Sequence, residues 1–215
     1  MSYQYLLFDL DGTLTDSADG IVNSVIHALQ KKGIPVPARE ALFPFVGPPL
    51  ADSFMKYFGM TQEEAVASIE DYREYFRDRG WCENTVYDGI PEVLAQLKAQ
   101  GKHLIVATSK PDVFSERILQ HFDLAKYFDL IVGSTLDGRI SRKGQVISLV
   151  LDRIGREHRS EMIMVGDREH DVIGAKENGL PCVGVLYGYG SREELENAGA
   201  AAICEQVRDL PEYLL

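Results

Sequence analysis

The stretch Phe8-Asp9-Leu10-Asp11-Gly12-Thr13-Leu14-Thr15-Asp16 places two carboxylates one residue apart at the end of an apolar run. That run, residues 5–8, does not alternate between apolar and polar side chains, which predicts a strand buried on both faces. Side chains two apart on a strand share a face, so Asp9 and Asp11 start on the same side until the turn at Gly12 separates them. Two carboxylates this close repel each other unless a positive charge lies beside them, and a hard divalent cation such as Mg²⁺ would supply that charge.

The rest of the chain alternates between strand-like and helix-like segments. Four further apolar runs predict strands at 104–107, 130–132, 162–165 and 183–185, with helical patterns between them. This alternation favours a parallel sheet with helices on both faces. The predicted fold class is therefore α/β, a doubly wound, Rossmann-like parallel sheet. Ligands of such sheets bind beyond the carboxyl ends of the strands.

One region interrupts the alternation, directly after the first strand. Residues 16–83 have a helical pattern without a strand signal, with Ser17 as a candidate N-cap and a capping box at 61–64. We therefore predict a core domain of residues 1–15 plus 85–215 and an inserted helical domain at 16–84. The segment Phe45-Val46-Gly47-Pro48-Pro49-Leu50 is the turn of this insert expected to face a substrate, and it is equally typical of an ordinary Gly-Pro turn.

Polar residues follow the predicted strands at the edge where a ligand would bind. Thr108 and Ser109 follow the second strand, where hydroxyl and backbone N–H groups either hold phosphate oxygens or cap a loop. Lys143 precedes a predicted helix, where it either neutralises a bound anion or is simply solvated. Asp167 and Asp171 follow the fourth strand, which suits a metal site or an acidic helix N-terminus. Taken singly, these residues leave both alternatives open.

Taken together, the segments resemble the haloacid dehalogenase-like superfamily of phosphohydrolases. The string Asp-x-Asp-Gly-Thr-Leu-x-Asp at 9–16 is similar to the first motif of that superfamily. Thr108, Lys143 and the pattern Gly-Asp-x-x-x-Asp at 166–171 stand where its other three motifs are expected. The resemblance covers the whole chain, and the helical insert has the position of a cap that this superfamily inserts after its first motif.

The resemblance implies roles for these residues. Asp9 attacks phosphorus, and Asp11 is the general acid and base. Mg²⁺ is the implied cofactor, and the implied metal site comprises Asp9, Asp11, Asp167 and Asp171, the last holding a metal-bound water or orienting Lys143. Thr108 and Lys143 complete the catalytic set, and the expected substrate-binding residues are Gly12, Thr108, Ser109, Lys143, Gly47 and Pro48.

Two segments depart from the simplest pattern. Many relatives carry Lys-Pro in the third motif, whereas this chain has Arg142-Lys143-Gly144. Either basic residue could enter the site, and we favour Lys143 because it directly precedes the helix. The segment Tyr187-Gly188-Tyr189-Gly190 resembles one in phosphoglycolate-phosphatase-like members, and we interpret it mainly as loop structure, with ligand contact as the minor alternative. His170 is interpreted as solvated or capping rather than as a metal ligand.

The implied activity is magnesium-dependent hydrolysis of a small phosphate monoester through an aspartyl-phosphate. The overall pattern is closest to phosphoglycolate-phosphatase-like enzymes, and Gly-Asp-Arg-x-x-Asp together with Arg-Lys-Gly also resembles a 5′-nucleotidase-like subgroup. A phosphomutase on the same core is an alternative that the motifs leave open. A receiver-type phospho-acceptor is a weaker alternative, because receivers are shorter and lack a helical insert.

The composition of the chain limits the kinds of partner that the protein is expected to bind. A formal charge of -11 argues against a nucleic-acid polymer, whereas a local basic pocket would still bind a small phosphorylated metabolite. Cys82, Cys182 and Cys204 lie far apart, which argues against a disulfide framework and a zinc site. No apolar run is long enough to span a membrane and no signal-peptide pattern is present. We therefore expect a cytoplasmic protein without membrane partners, and its oligomeric state is left open.

Overall fold

The computed structural model describes residues 3–215, which form two compact units. One unit contains residues 3–15 and Val86–Leu215, and the other is the segment Asp16–Thr85. The predicted boundaries were 1–15 plus 85–215 and 16–84. That the helical unit works as a cap stays a prediction.

Eight strands occur among the described residues: β1 (Tyr5–Phe8), β2 (Thr15–Asp16), β3 (Thr85–Val86), β4 (His103–Pro111), β5 (Leu130–Ser134), β6 (Met162–Gly166), β7 (Cys182–Val185) and β8 (Ala202–Cys204). Six of them form one parallel sheet in the order β5-β4-β1-β6-β7-β8, which confirms the α/β class. The two-residue strands β2 and β3 form a separate two-stranded sheet and contain the boundaries between the units. The prediction of a strand-free segment from residue 16 was therefore wrong at Asp16.

The described α-helices are α1 (Ala18–Lys31), α2 (Leu50–Phe58), α3 (Gln62–Tyr75), α4 (Ile90–Ala99), α5 (Asp112–His121), α6 (Lys143–Ile154), α7 (Glu169–Glu177), α8 (Arg192–Ala198) and α9 (Leu210–Leu214). In residues 3–215, no helix combines the length and the apolar character that crossing a membrane requires.

The centre of the parallel sheet is apolar on both faces. Leu7 of β1 belongs to a buried cluster with residues of α6, α7 and α8, so these helices cover one face. Its neighbours Leu6 and Phe8 point to the opposite face and are also fully buried. Fully burying side chains of this size stabilises the fold by roughly 1.5–3 kcal/mol each. The packing therefore holds the end of β1 in a fixed place, and Asp9 follows directly.

The strand β8 was not predicted. Its three residues, Ala202–Cys204, contain one β-branched side chain, and the run is too short for periodicity to separate it from a loop. The strand forms because it pairs with β7: Val183, Gly184 and Val185 are in register with the three residues of β8.

The helical unit has a core of its own. Helix α3 packs against α1 and α2, and Phe45, Phe54 and Phe58 form an aromatic cluster with ring centroids 5.1–6.4 Å apart. The predicted capping box is present, since Thr61 Oγ1 accepts a hydrogen bond from Glu64 N at 3.3 Å and Glu64 Oε2 accepts one from Thr61 N at 2.8 Å. Gly47, with a φ of 99°, and Pro48 lie just before α2, and their role toward a substrate stays a prediction.

Candidate active site

The candidate site lies at the carboxyl ends of the three central strands. Phe8 is in register with Val106 of β4 and Val165 of β6, so the residues after β1 and β6 lie at one edge beside the end of β4. The Asp9 N–H continues the ladder by donating to Val165 O at 3.0 Å. This arrangement brings together the polar residues that were predicted from scattered segments.

Lys143, the first residue of α6, is the hub of a buried ion cluster. Its Nζ lies 2.7 Å from Asp9 Oδ1 and 2.8 Å from Asp171 Oδ1, and it donates to Ala107 O at 2.9 Å. The three charged side chains are at most 4% exposed. Arg142 is exposed at the N-cap position of α6, so Lys143 is the basic residue among these carboxylates.

Burial and mutual repulsion shift the pKa values of this cluster. The pKa of Asp9 is raised to about 6, chiefly by burial, with Lys143 opposing and Asp171 adding to the rise. The pKa of Asp167 is raised well above its usual range by burial and by the charges of Asp171 and Asp9. Burial tends to lower the pKa of Lys143, but Asp171 and Asp9 more than offset it and raise that pKa. One ammonium group therefore does not neutralise this set of carboxylates.

The donor set fits a hard divalent cation. Asp9, Asp167 and Asp171 each offer a carboxylate oxygen, and these oxygens all lie within 4.8 Å of one another. Asp11 Oδ1 is buried and accepts no hydrogen bond from any residue between 3 and 215. An excess of buried carboxylates must bind either protons or a cation, and oxygen-only ligands suit Mg²⁺.

Asp167 is oriented by backbone and side-chain donors. Thr13 Oγ1 donates to Asp167 Oδ1 at 3.3 Å, and Tyr189 N donates to Asp167 Oδ2 at 2.8 Å. Gly12 has a φ of 81°, and a Cβ there would lie 2.2 Å from Asp167 Oδ2. A Cβ on Gly188 would lie 2.2 Å from Gly12 O and 2.5 Å from Asp167 Cβ. The 187–190 loop thus packs directly against a site residue, which sequence reasoning did not predict.

The end of β4 contributes Thr108 and an unpredicted residue, Lys110. Thr108 is buried, and its Oγ1 accepts a hydrogen bond from Lys110 N at 3.3 Å, while Ser109 is half-buried. Lys110 Nζ lies 2.8 Å from Asp11 Oδ2. Lys110 could have been predicted from the sequence, because it is a basic residue two positions after Thr108, at a strand end that was expected to face the ligand.

His170 takes no part in the carboxylate cluster found among the described residues. Its ring is partly buried, its Nδ1 has no hydrogen-bond partner within residues 3–215, and burial lowers its pKa.

Comparison with known proteins places the chain in a family. The model of the haloacid dehalogenase-like hydrolase family matches residues 6–185. A 5′-nucleotidase of Pseudomonas aeruginosa is 44% identical over 216 residues, covering 100% of this chain and 96% of that protein. The tyrosine-protein kinase PtkA of Mycobacterium tuberculosis is 40% identical over 203 residues, covering 94% of this chain and 68% of that protein. The crystal structure of a predicted phosphatase from Clostridium acetobutylicum is 53% identical, with a TM-score of 0.97 and coverage of 100% and 99%.

The chain therefore belongs to the haloacid dehalogenase-like hydrolase family. This membership confirms the resemblance drawn from the four motifs, and with it the prediction of an enzyme, a phosphatase of the haloacid dehalogenase type.

Proposed function

We propose that this protein is a magnesium-dependent phosphatase that hydrolyses the phosphate monoester of a small metabolite, with a 5′-mononucleotide as the first candidate and phosphoglycolate as the second. The observation that carries the proposal is the buried cluster in which Lys143 joins Asp9 to Asp171, with Asp11 and Asp167 beside it. The 5′-nucleotide is placed first because a relative with that activity is 44% identical over the whole chain.

The reaction would proceed in two steps on Asp9. Its carboxylate attacks phosphorus in line, the bond to the ester oxygen breaks, and Asp11 donates a proton to the departing alcohol. Asp11, now a carboxylate, then removes a proton from water. That water attacks phosphorus, breaks the bond to the Asp9 oxygen, and releases inorganic phosphate.

The surrounding residues would stabilise charge on the transferring phosphoryl group. Lys143 and the hydroxyl and backbone N–H groups near Thr108 would bind this group, and Asp171, 2.8 Å from Lys143 Nζ, would orient Lys143. Held by Asp9 and Asp167, Mg²⁺ would neutralise negative charge on the phosphoryl oxygens. The segment Asp16–Thr85 would act as a mobile cap that excludes water when closed.

A cytoplasmic location is part of the same proposal. Cys82, Cys182 and Cys204 all carry free thiols, as expected in a reducing compartment.

The proposal is tested by kcat/KM for phosphate release, with and without Mg²⁺, on a substrate panel. The panel contains several nucleoside 5′-monophosphates, phosphoglycolate, sugar phosphates and an aryl phosphate. We expect Mg²⁺-dependent release, with one nucleotide well above the other substrates, and loss of release in the Asp9→Asn variant. Absence of release from every substrate in the presence of Mg²⁺ would contradict a phosphatase and favour the phosphomutase or phospho-acceptor alternatives.

A second candidate function is phosphoryl transfer to a protein tyrosine, because the 40% identical relative is the tyrosine-protein kinase PtkA. Labelled ATP and a tyrosine-containing peptide test it directly. Transfer of label to the peptide faster than release of inorganic phosphate would favour the kinase, and label released only as phosphate would favour the phosphatase.

A further inference from the structure

Asp11 has a charged partner of its own. Lys110 Nζ lies 2.8 Å from Asp11 Oδ2, and the two side chains are 5% and 8% exposed. The other oxygen, Asp11 Oδ1, is buried and accepts no hydrogen bond within the described part of the chain. The two oxygens of this carboxylate are therefore unequal, since Oδ2 is held by an ammonium group and Oδ1 has no hydrogen-bond partner among the described residues.

Lys143 cannot replace Lys110 in this pairing. An ammonium group has three N–H donors, and that of Lys143 already faces Asp9 Oδ1, Asp171 Oδ1 and Ala107 O at 2.7, 2.8 and 2.9 Å. Each lysine thus contacts a different carboxylate. Lys143 lies beside the attacking carboxylate of Asp9, and Lys110 lies beside Asp11, the carboxylate that exchanges protons.

The backbone around Lys110 is irregular. The register between β4 and β5 shifts between Ala107 and Pro111, and Lys110 N donates to Thr108 Oγ1 at 3.3 Å. A Cβ on Gly133 of β5 would lie 2.5 Å from Lys110 O, so the glycine permits this close approach. Strand irregularities near active sites redirect side chains. Here the irregularity coincides with the residue whose ammonium group reaches Asp11.

We propose that Lys110 is a positioning residue for Asp11. By holding Oδ2 it fixes the rotation of the carboxylate, so that Oδ1 is the oxygen that gives a proton to the leaving group and takes one from water. Rotation of the carboxylate would break a buried ion pair, which is costly in a site that excludes water. The inference rests on the proposed phosphatase function, and it adds which oxygen carries the proton and what orients it.

The test compares two esters of nearly the same shape. 4-Nitrobenzyl phosphate has a poor leaving group that needs a proton, whereas 4-nitrophenyl phosphate releases a stable anion. We expect Lys110→Met to lower kcat/KM for the benzyl ester about tenfold more than for the phenyl ester, because the loss falls on general acid catalysis. The ratio does not depend on how much of a preparation is folded, since both esters are measured on the same sample.

Lys102 provides a matched control. It is another buried lysine of the same unit, and its Nζ donates to Tyr3 O at 2.6 Å, away from the carboxylate cluster. Lys102→Met is expected to reduce stability and to leave the ratio between the two esters unchanged. Where Lys110→Met does not fold, Lys110→Gln carries the same expectation.

Two outcomes separate this inference from the proposed function. Equal losses on both esters in the Lys110 variant would overturn the positioning role, leaving Lys110 as a phosphate-binding or structural residue while the phosphatase stands. A wild-type protein that hydrolyses neither ester nor any substrate of the panel would overturn the proposed function, and this inference with it.

Discussion

Asp9 is both the proposed nucleophile and a source of instability in the metal-free protein. Its pKa is raised to about 6 from the ordinary value of 3.8, with burial as the main cause, so the fold disfavours its charged form. Between these two values the folded state binds the proton and the unfolded state does not. The contribution of Asp9 to stability therefore falls as pH rises from about 4 to about 6, and the full penalty is present above that window.

Asp9→Asn should consequently stabilise the metal-free protein at pH 7 while removing turnover. We expect the free energy of unfolding to rise by about 1–3 kcal/mol relative to the wild type, and the difference to shrink below about pH 4.5. Urea unfolding in the presence of a chelator at both pH values measures it. A variant that is less stable than the wild type at pH 7, or a difference independent of pH, would show that the charge on Asp9 is not the destabilising element.

At the residue scale, the sequence predicted the acidic residues and Lys143 but missed Lys110. Short sequence motifs identify the four acidic residues without knowledge of the fold: Asp9, Asp11, Asp167 and Asp171. Lys110 meets Asp11 at the end of β4, where the register with β5 shifts, and neither the contact nor the shift can be predicted from local sequence. The difference between Lys143 and Arg142 in burial also depends on tertiary packing.

At the element scale, the 187–190 loop supports Asp167 and should influence cation binding. Gly188→Ala would place a methyl group within 2.2–2.6 Å of Gly12 O and the Asp167 side chain, so one of them must move. We expect affinity for Mg²⁺ to fall by about tenfold or more, as is typical when residues that orient metal ligands are changed. Titration calorimetry with Mg²⁺ and substrate-free protein measures this without relying on turnover.

Ser191→Ala is a control for that loop variant. Ser191 caps α8 just after the loop by accepting a hydrogen bond from Glu194 N at 3.1 Å, so its loss should cost about 1 kcal/mol of stability. Its affinity for Mg²⁺ should stay near that of the wild type. Equal affinity in the Gly188 variant and the wild type would show that the loop does not control Asp167.

Local signals predicted some elements well and others incompletely. The capping box at Thr61 is confirmed because both of its hydrogen bonds lie within four consecutive residues. Ser17 occupies the N-cap position of α1, but its side chain makes no capping hydrogen bond, and Ala18 N instead donates to Asp16 Oδ1 at 3.3 Å. Residue type alone does not decide which of two neighbouring acceptors is used.

At the scale of the whole molecule, the alternation of strands and helices was sufficient to predict the parallel sheet, at whose carboxyl edge the candidate site lies. Five of the six strands of this sheet contain apolar runs of three or four residues that the sequence identifies directly. The sixth, β8, depends on pairing with β7, which no local pattern reveals.

If the helical unit is a cap that contacts the substrate, changes in its Gly-Pro turn should alter the order of kcat/KM among substrates rather than folding. Pro48 and Pro49 lie in a half-buried loop before α2, where a proline ring restricts the backbone. The Pro48→Ala and Pro49→Ala variants therefore change the freedom of this loop more than they change packing. We expect the order of kcat/KM across the panel to change while the unfolding midpoint stays within a few degrees. An unchanged order in both variants would remove this turn from the substrate site.

Phosphorylation of Asp9, with Asp11 moving the protons, is best measured with the Asp11→Asn variant and 4-nitrophenyl phosphate. Its leaving group needs no proton, so the first step should proceed, whereas the second should stall because no carboxylate activates water. We expect a burst of one nitrophenolate per active site and, after acid quenching, one phosphoryl group on the peptide that contains Asp9. Steady turnover at the wild-type rate, or a phosphoryl group on any other residue, would contradict it.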